Sequence, residues 1–169
     1  KYMLALSLLF LGIASRLVIH LPNFTPVLAL ALFGGVYLSP RRAVLIPLVM
    51  MMASDLLIGL HDTIIFTWGS VLLISLLGVY LRSRKNVKNI AVTSLLSAVL
   101  FFIVTNFGAW LMMYPKTVLG LQECFLAAVP FFRDTLLSTL IYSIVLFGGY
   151  EILAQWVIKT RWAKILQAV

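Results

Sequence analysis

Pro22-Asn23-Phe24-Thr25-Pro26, followed by Val27-Leu28-Ala29-Leu30-Ala31-Leu32-Phe33-Gly34-Gly35-Val36-Tyr37-Leu38, is the stretch that decides the fold. It is the first polar break in a chain that is otherwise close to continuous hydrocarbon. Proline fixes φ and restricts the residue before it, so the bracketed segment reads as a stiff, extended turn. The apolar run behind it reads as a helix. That helix is too short to cross a bilayer, which takes about 20 residues. It either tilts and recruits flanking residues or is buried among other helices. Asn is a favoured N-cap type, so Asn23 either caps this helix or turns its amide toward a ligand.

Composition sets the solvent. Hydrophobic residues make up 63% of the chain and charged residues 11%, with a mean hydropathy of +1.10. A soluble domain carries about 25% charge, and half of that cannot solvate a globular surface. The class is therefore an all-α, polytopic membrane protein. A β-barrel would show alternating segments of about ten residues, whereas the apolar runs here are continuous. The formal charge of +8 does not call for a nucleic-acid partner, because Lys and Arg of membrane proteins gather in cytoplasmic loops. Cys124 is the one cysteine, so no intramolecular disulfide can form. The first apolar run lacks a small-residue cleavage site and leads straight into further apolar segments, so no cleavable signal peptide is expected.

Working outward, the sequence predicts one transmembrane domain over residues 1–169, a six-helix transmembrane bundle. Its helices fall at about 3–19, 27–38, 43–60, 64–81, 90–113 and 133–158, with a long outer connection at 114–132. Within that connection, residues 119–129 form an amphipathic segment suited to the outer surface. Numbering loops from the N-terminus, one side receives Lys1, Arg41, Arg42, Arg82, Arg84, Lys85, Lys88, Lys159, Arg161 and Lys164. The other side receives Lys116, with Arg16 and Arg133 near helix ends. This bias predicts cytoplasmic N and C termini and a multi-pass protein of the bacterial cytoplasmic (inner) membrane.

That orientation gathers the unusual residues on the outer side, as a pocket opening outward requires. The candidate substrate-binding residues are Asn23, Phe24, Thr25, Asp55, Asn106, Trp110, Tyr114, Cys124, Phe131 and Asp134. A carboxylate as deep as Asp55 faces the bundle interior with a partner, and Arg16, Arg133 and Asn106 are the candidates. Asn106 can cross-link helices, and Gly108 beside it permits close approach. Small residues at spacing four, Ala31/Gly35 and Ser94/Ala98, permit tight packing as well. Trp110 and Tyr114 also suit the interfacial aromatic belt. Asp134 suits the N-terminus of helix six and can pair with Arg133. Cys124 reads either as a small hydrophobe or as a ligand, with cobalt the metal considered; no zinc-ligand spacing is present. His20 and His61 are expected at the outer surface. With no phosphate loop, no Gly-x-Ser-x-Gly and no carboxylate pair at catalytic spacing, an enzyme is not expected.

Residues 22–35 (PNFTPVLALALFGG), Ser54-Asp55, NFGAW at 106–110, YPKTVLGLQECF at 114–125 and PFFRDTL at 130–136 resemble a family of small uncharacterised bacterial membrane proteins. That family is similar to the substrate-binding S components of energy-coupling factor (ECF) vitamin transporters. The resemblance implies an ECF S-component type of bundle that captures a vitamin or similar small nutrient between the loop after helix one and the connection before helix six. It implies the lipid bilayer and an ECF energising module, a transmembrane coupling protein plus ATPases, as partners, and a bound vitamin, with a cobalamin-type compound as one candidate. Helix one has Ala5, Gly12 and Ala14 but no small pair at spacing four, the pattern S components use for docking, which leaves a solitary mode open. A structural or assembly subunit of a membrane complex, without small-molecule transport, is the alternative.

Overall fold

The computed structural model describes residues 2–18 and 23–158. They form six α-helices and no strand: α1 Tyr2–Val18, α2 Val27–Tyr37, α3 Pro40–Ile58, α4 Ile64–Leu81, α5 Val87–Met113 and α6 Val118–Ile158. A short 3-10 turn, Arg82–Arg84, follows α4.

The short helix is the centre of the molecule. A helix that is apolar all round has no face to give to solvent and is buried. Val27 through Val36 are all buried, and α2 touches each of the other five helices. The exposed large apolar side chains, such as Phe10, Leu57, Ile65, Val92 and Ile144, lie on the surrounding helices, and none lies on α2. Of the two outcomes open for this segment, burial among the other helices is the one observed.

Small residues let the backbones meet. A Cβ on Gly35 would stand 2.4 Å from Ser75 O, and one on Gly78 would stand 2.3 Å from Leu32 O. The α2–α4 crossing is therefore backbone against backbone, which only glycine allows at such range. On its other side, Gly34 accommodates the ring of Pro47 inside α3, where a Cβ would come within 2.9 Å. Ser94 and Ala98 are both buried, and Ser94 donates to Ser143 at 2.8 Å, joining α5 to α6.

The end of α2 is closed by Arg82. Its Nη2 donates to Gly35 O at 2.7 Å and to Leu38 O, and its Nε donates to Val36 O at 3.1 Å. The last carbonyls of a helix have no partner within it; here a cation, favoured at that terminus, satisfies three. Lys85 pairs with Glu151 of α6 and donates to the Tyr37 hydroxyl at 3.1 Å, which ties the tail of α6 to the same end. The connections after α2 and α4 thus share one end, rich in Arg and Lys. The turn at Asn23–Pro26 and the connections at 59–63 and 114–117 share the opposite end.

Three helices are long and apolar enough to cross a membrane: Ile64–Arg84, Val87–Met113 and Val118–Trp156. Met3–Ala14 and Val27–Tyr37 are apolar but shorter, and α3 carries Arg41, Arg42 and Asp55 within its 19 residues.

One expectation is overturned. Residues 118–132 are not an outer connection, and helix six does not start at 133. α6 is continuous over 41 residues from Val118, about 61 Å at the α-helical rise, and the α5–α6 link shrinks to 114–117. Thr117 starts the helix, its hydroxyl accepting from Gly120 N at 3.1 Å, the geometry of an N-cap. Pro130 costs one backbone hydrogen bond without ending the helix, as membrane helices tolerate. The amphipathic segment is thus the first three turns of α6, laid against α5. Asp134 and Arg133 consequently stand exposed inside a helix, not at its start, and no ion pair joins them among the described residues. α5 begins at Val87 rather than near 90, because the Asn86 side chain caps it by accepting from Asn89 N at 2.8 Å. α3 begins at Pro40, at the first helical turn where proline is favoured.

Candidate ligand-binding cavity

Two adjoining cavities open at the end opposite the basic loops. The narrower, about 190 Å³, lies between α5 and α6 with Asn23 at its edge. Phe101, Phe102, Thr105 and Asn106 come from α5, and Ala128, Phe131, Phe132 and Thr135 from α6. The wider, about 330 Å³, reaches toward α2, α3 and α4 through Thr25, Leu28, Met51, His61, Thr67 and Ser138. Asn23, Phe101, Thr105 and Thr135 line both, so the two form one cleft. Sites for small molecules occupy about 300–1,000 Å³ and combine apolar walls with a few placed polar groups; this cleft sits at the small end of that range.

The helical register explains the lining. Positions 101, 102, 105 and 106 of α5 and 128, 131, 132 and 135 of α6 follow the three- and four-residue spacing of one helix face. The aromatic wall is self-supporting. Phe102 packs at 4.8 Å on Phe132 and at 5.5 Å, nearly perpendicular, on Phe125, within the range of favourable ring pairs.

Polar groups on this face are tethered to their own helices. Thr105 Oγ1 donates to Phe101 O at 2.7 Å and Thr135 Oγ1 to Phe131 O at 3.1 Å. Asn106 Nδ2 donates to Phe102 O at 2.7 Å. Ser138 Oγ lies 3.0 Å from Thr135 O and 3.4 Å from Asn23 O, joining α6 to the entrance turn. Asn23 has φ of 58°, a left-handed conformation that Asn tolerates better than most residues. Pro26, not Asn23, occupies the N-cap of α2, and no side chain caps that helix. The Asn23 amide has no hydrogen-bond partner among the described residues and stands at the cleft.

Four of the ten residues singled out from the sequence line the cleft: Asn23, Thr25, Asn106 and Phe131. Six do not. Phe24 packs on Tyr142 with ring centres 5.8 Å apart. Asp55, 1% exposed, accepts from Trp68 Nε1 at 2.8 Å, a link between α3 and α4. Of the partners considered for it, Asn106 is engaged with Phe102 and Arg133 is exposed, while the side chain of Arg16 lies outside the described residues. Trp110 Nε1 donates to Pro115 O at 3.0 Å and fastens the turn after α5. Tyr114 terminates α5. Cys124, 2% exposed, donates to Asn106 O at 3.3 Å and does not line the cleft. Asp134 is exposed elsewhere on α6. No group of three or more metal-binding side chains is assembled among the described residues. His20 lies outside the described residues; His61 is exposed and forms part of the wider cavity.

Sequence reasoning missed Phe101, Phe102, Thr105, Ala128, Thr135 and Ser138. The available signal was the pairing of Thr105-Asn106 with Phe101-Phe102 one turn earlier, a polar step on an aromatic face.

No curated protein and no solved structure matches the chain. The chain belongs to the family of unknown function DUF6580, whose model matches residues 1–162.

Proposed function

We propose that this protein is a non-enzymatic, substrate-binding membrane component for uptake of a vitamin or similar small nutrient, of the ECF S-component type. In this reading all six helices lie in the bacterial cytoplasmic membrane, both termini are cytoplasmic and the cleft opens outward. An ECF energising module drives it, or it works alone. The observation that carries the reading is the cleft itself. Asn23, Asn106, Thr105 and Thr135 converge with four phenylalanines at the end away from Arg41, Arg42, Arg84 and Lys88. Positive charge favours the cytoplasmic side, so a cleft at the other end meets extracellular solutes. Its volume suits a compound of one or two rings. A corrin macrocycle exceeds it, and Cys124 does not reach it, so a cobalamin-type ligand held through Cys124 is not carried forward.

Equilibrium binding of the purified protein to a panel of vitamins, cobalamins included, tests this. One member is expected to bind with sub-micromolar Kd. Ala128→Phe, which fills the narrower cavity, is expected to raise that Kd more than tenfold, about 1.4 kcal/mol, in a protein that still elutes as a folded species. Binding of no member, together with co-purification of a stable protein complex, would overturn it in favour of a structural subunit.

A further inference from the structure

The hydrogen-bond accounting of the narrower cavity narrows the ligand class, and this step rests on the binding role proposed above. A hydroxyl has one proton and two lone pairs. Thr105 and Thr135 each donate that proton to the carbonyl four residues earlier, at 2.7 and 3.1 Å. Toward anything else they offer lone pairs. Asn106 is fixed in the same sense. The atom 2.7 Å from Phe102 O must be its nitrogen, because a carbonyl oxygen accepts only donors. Its Oδ1 is left as an acceptor and the second N–H of its Nδ2 as a donor. Thr105 and Thr135 thus present acceptors alone, whereas Asn106 and, at the edge, Asn23 present both a carbonyl acceptor and an N–H donor.

The remaining walls agree. Phe101, Phe102, Phe131 and Phe132 surround the space, and no Lys, Arg, Asp or Glu lines it. Aromatic faces attract a cation. An anion would find two neutral amide groups, Asn106 and Asn23, among hydroxyl lone pairs and ring faces, with no positive charge to compensate its desolvation. We propose that the narrower cavity selects a ring compound whose inserted end is a hydrogen-bond donor, an ammonium or a ring N–H, and rejects carboxylates.

Three one-ring probes test this at pH 7 on the purified protein: phenethylamine, phenethyltrimethylammonium and 3-phenylpropionate. The first carries charge and N–H donors, the second charge without donors, and the third an anionic acceptor. Specific binding is the part abolished by Ala128→Phe, which removes partition into detergent from the count. Phenethylamine is expected to bind at least tenfold more tightly than either of the others. The double variant Thr105→Val/Thr135→Val keeps the side-chain shape and removes two acceptors. It is expected to weaken phenethylamine at least tenfold and to leave 3-phenylpropionate unchanged. Equal or tighter binding of 3-phenylpropionate or of the trimethylated cation overturns the donor assignment while leaving a ligand-binding cleft in place. So does phenethylamine binding that is indifferent to the double variant. Specific binding of none of the three overturns both this assignment and the binding role on which it rests.

Discussion

Replacing Arg82 with Met should unfold the centre of the molecule while leaving its charge pattern nearly intact. The guanidinium donates to Gly35, Val36 and Leu38 carbonyls at the end of α2. Gly35, Val36 and Leu38 are buried, so water replaces these part-buried bonds only in part. A hydrogen bond to a charged group contributes about 1.5–3 kcal/mol net, so losing three that share one guanidinium should cost roughly 3–6 kcal/mol after allowing for non-additivity. Met retains the apolar stem, so the loss reports the guanidinium. Arg82→Lys supplies an ammonium without the planar fork and should fall between. Arg84→Met is the control. It removes the same charge from the same turn, but Arg84 is exposed and rests over the Tyr80 ring at 4.3 Å, an interaction of about 0.5–1 kcal/mol at exposed sites. Unfolding in mixed micelles, followed by tryptophan fluorescence, gives the three differences. If Arg82→Met were no more damaging than Arg84→Met, the capping argument would be wrong and Arg82 would be one loop charge among several.

Other expectations follow from the same packing. Gly78→Ala drives a methyl to 2.3 Å from Leu32 O and should abolish accumulation of folded protein, whereas Gly148→Ala meets nothing within 4 Å and should stabilise α6 by up to about 1 kcal/mol; yield and monodispersity after detergent extraction separate the two. Asp55→Leu removes the acceptor of the Trp68 indole and should cost at least about 1 kcal/mol, the scale of hydrogen bonds between membrane helices, read from the same unfolding measurement. Cys124→Ser should leave binding of any cleft ligand within twofold, since the side chain does not line the cleft and serine can still donate to Asn106 O; a loss of affinity would restore Cys124 as a ligand. Lys116→Ala should loosen the α5–α6 turn, seen as faster proteolysis there, with the fold retained.

The fold was legible wherever hydrophobic length decided it. All six helices were readable as apolar runs between Pro, Gly and basic breaks, while α2, short and apolar on every side, was readable equally as a tilted helix or as one buried among the others, and packing decides for burial. The start of α6 was not legible, because Tyr114-Pro115-Lys116 and Pro130 both look like breaks. Only the first is one: Thr117 caps a new helix three residues before Gly120, whereas nothing around Pro130 replaces the helical backbone. At the cleft, entrance residues were readable because polar groups stand out against hydrocarbon. That test finds polar residues without separating those turned to a cavity from those joining two helices. Asp55 stood out most, yet it accepts from Trp68 Nε1 and does not line the cleft. Thr105 and Thr135 stood out least, since threonine in a membrane helix is ordinary, and they matter here only because α5 and α6 bring them face to face.

Lys116 shows how much of the charge pattern is structural. It is the one loop lysine at the end away from the basic connections, an exception to the asymmetry on which the proposed orientation rests. Its Nζ donates to Trp110 O at 3.0 Å, Tyr114 O at 3.2 Å and Leu111 O, and it lies 5.9 Å from the Trp110 ring. These are the last carbonyls of α5, where the helix carries partial negative charge. The ammonium is therefore bound as a cap, and its presence there follows from helix termination and not from the sorting of loop charges. Arg82 is the mirror case at the other end, a cation that charge counting attributes to sidedness and that the geometry assigns to α2. Setting both aside leaves Arg41, Arg42, Arg84, Lys85 and Lys88 on one end and no loop cation among the described connections of the other. The asymmetry in cations is thus sharper than the raw count, and the cleft opens at the end where no loop cation remains once Lys116 is assigned to its helix.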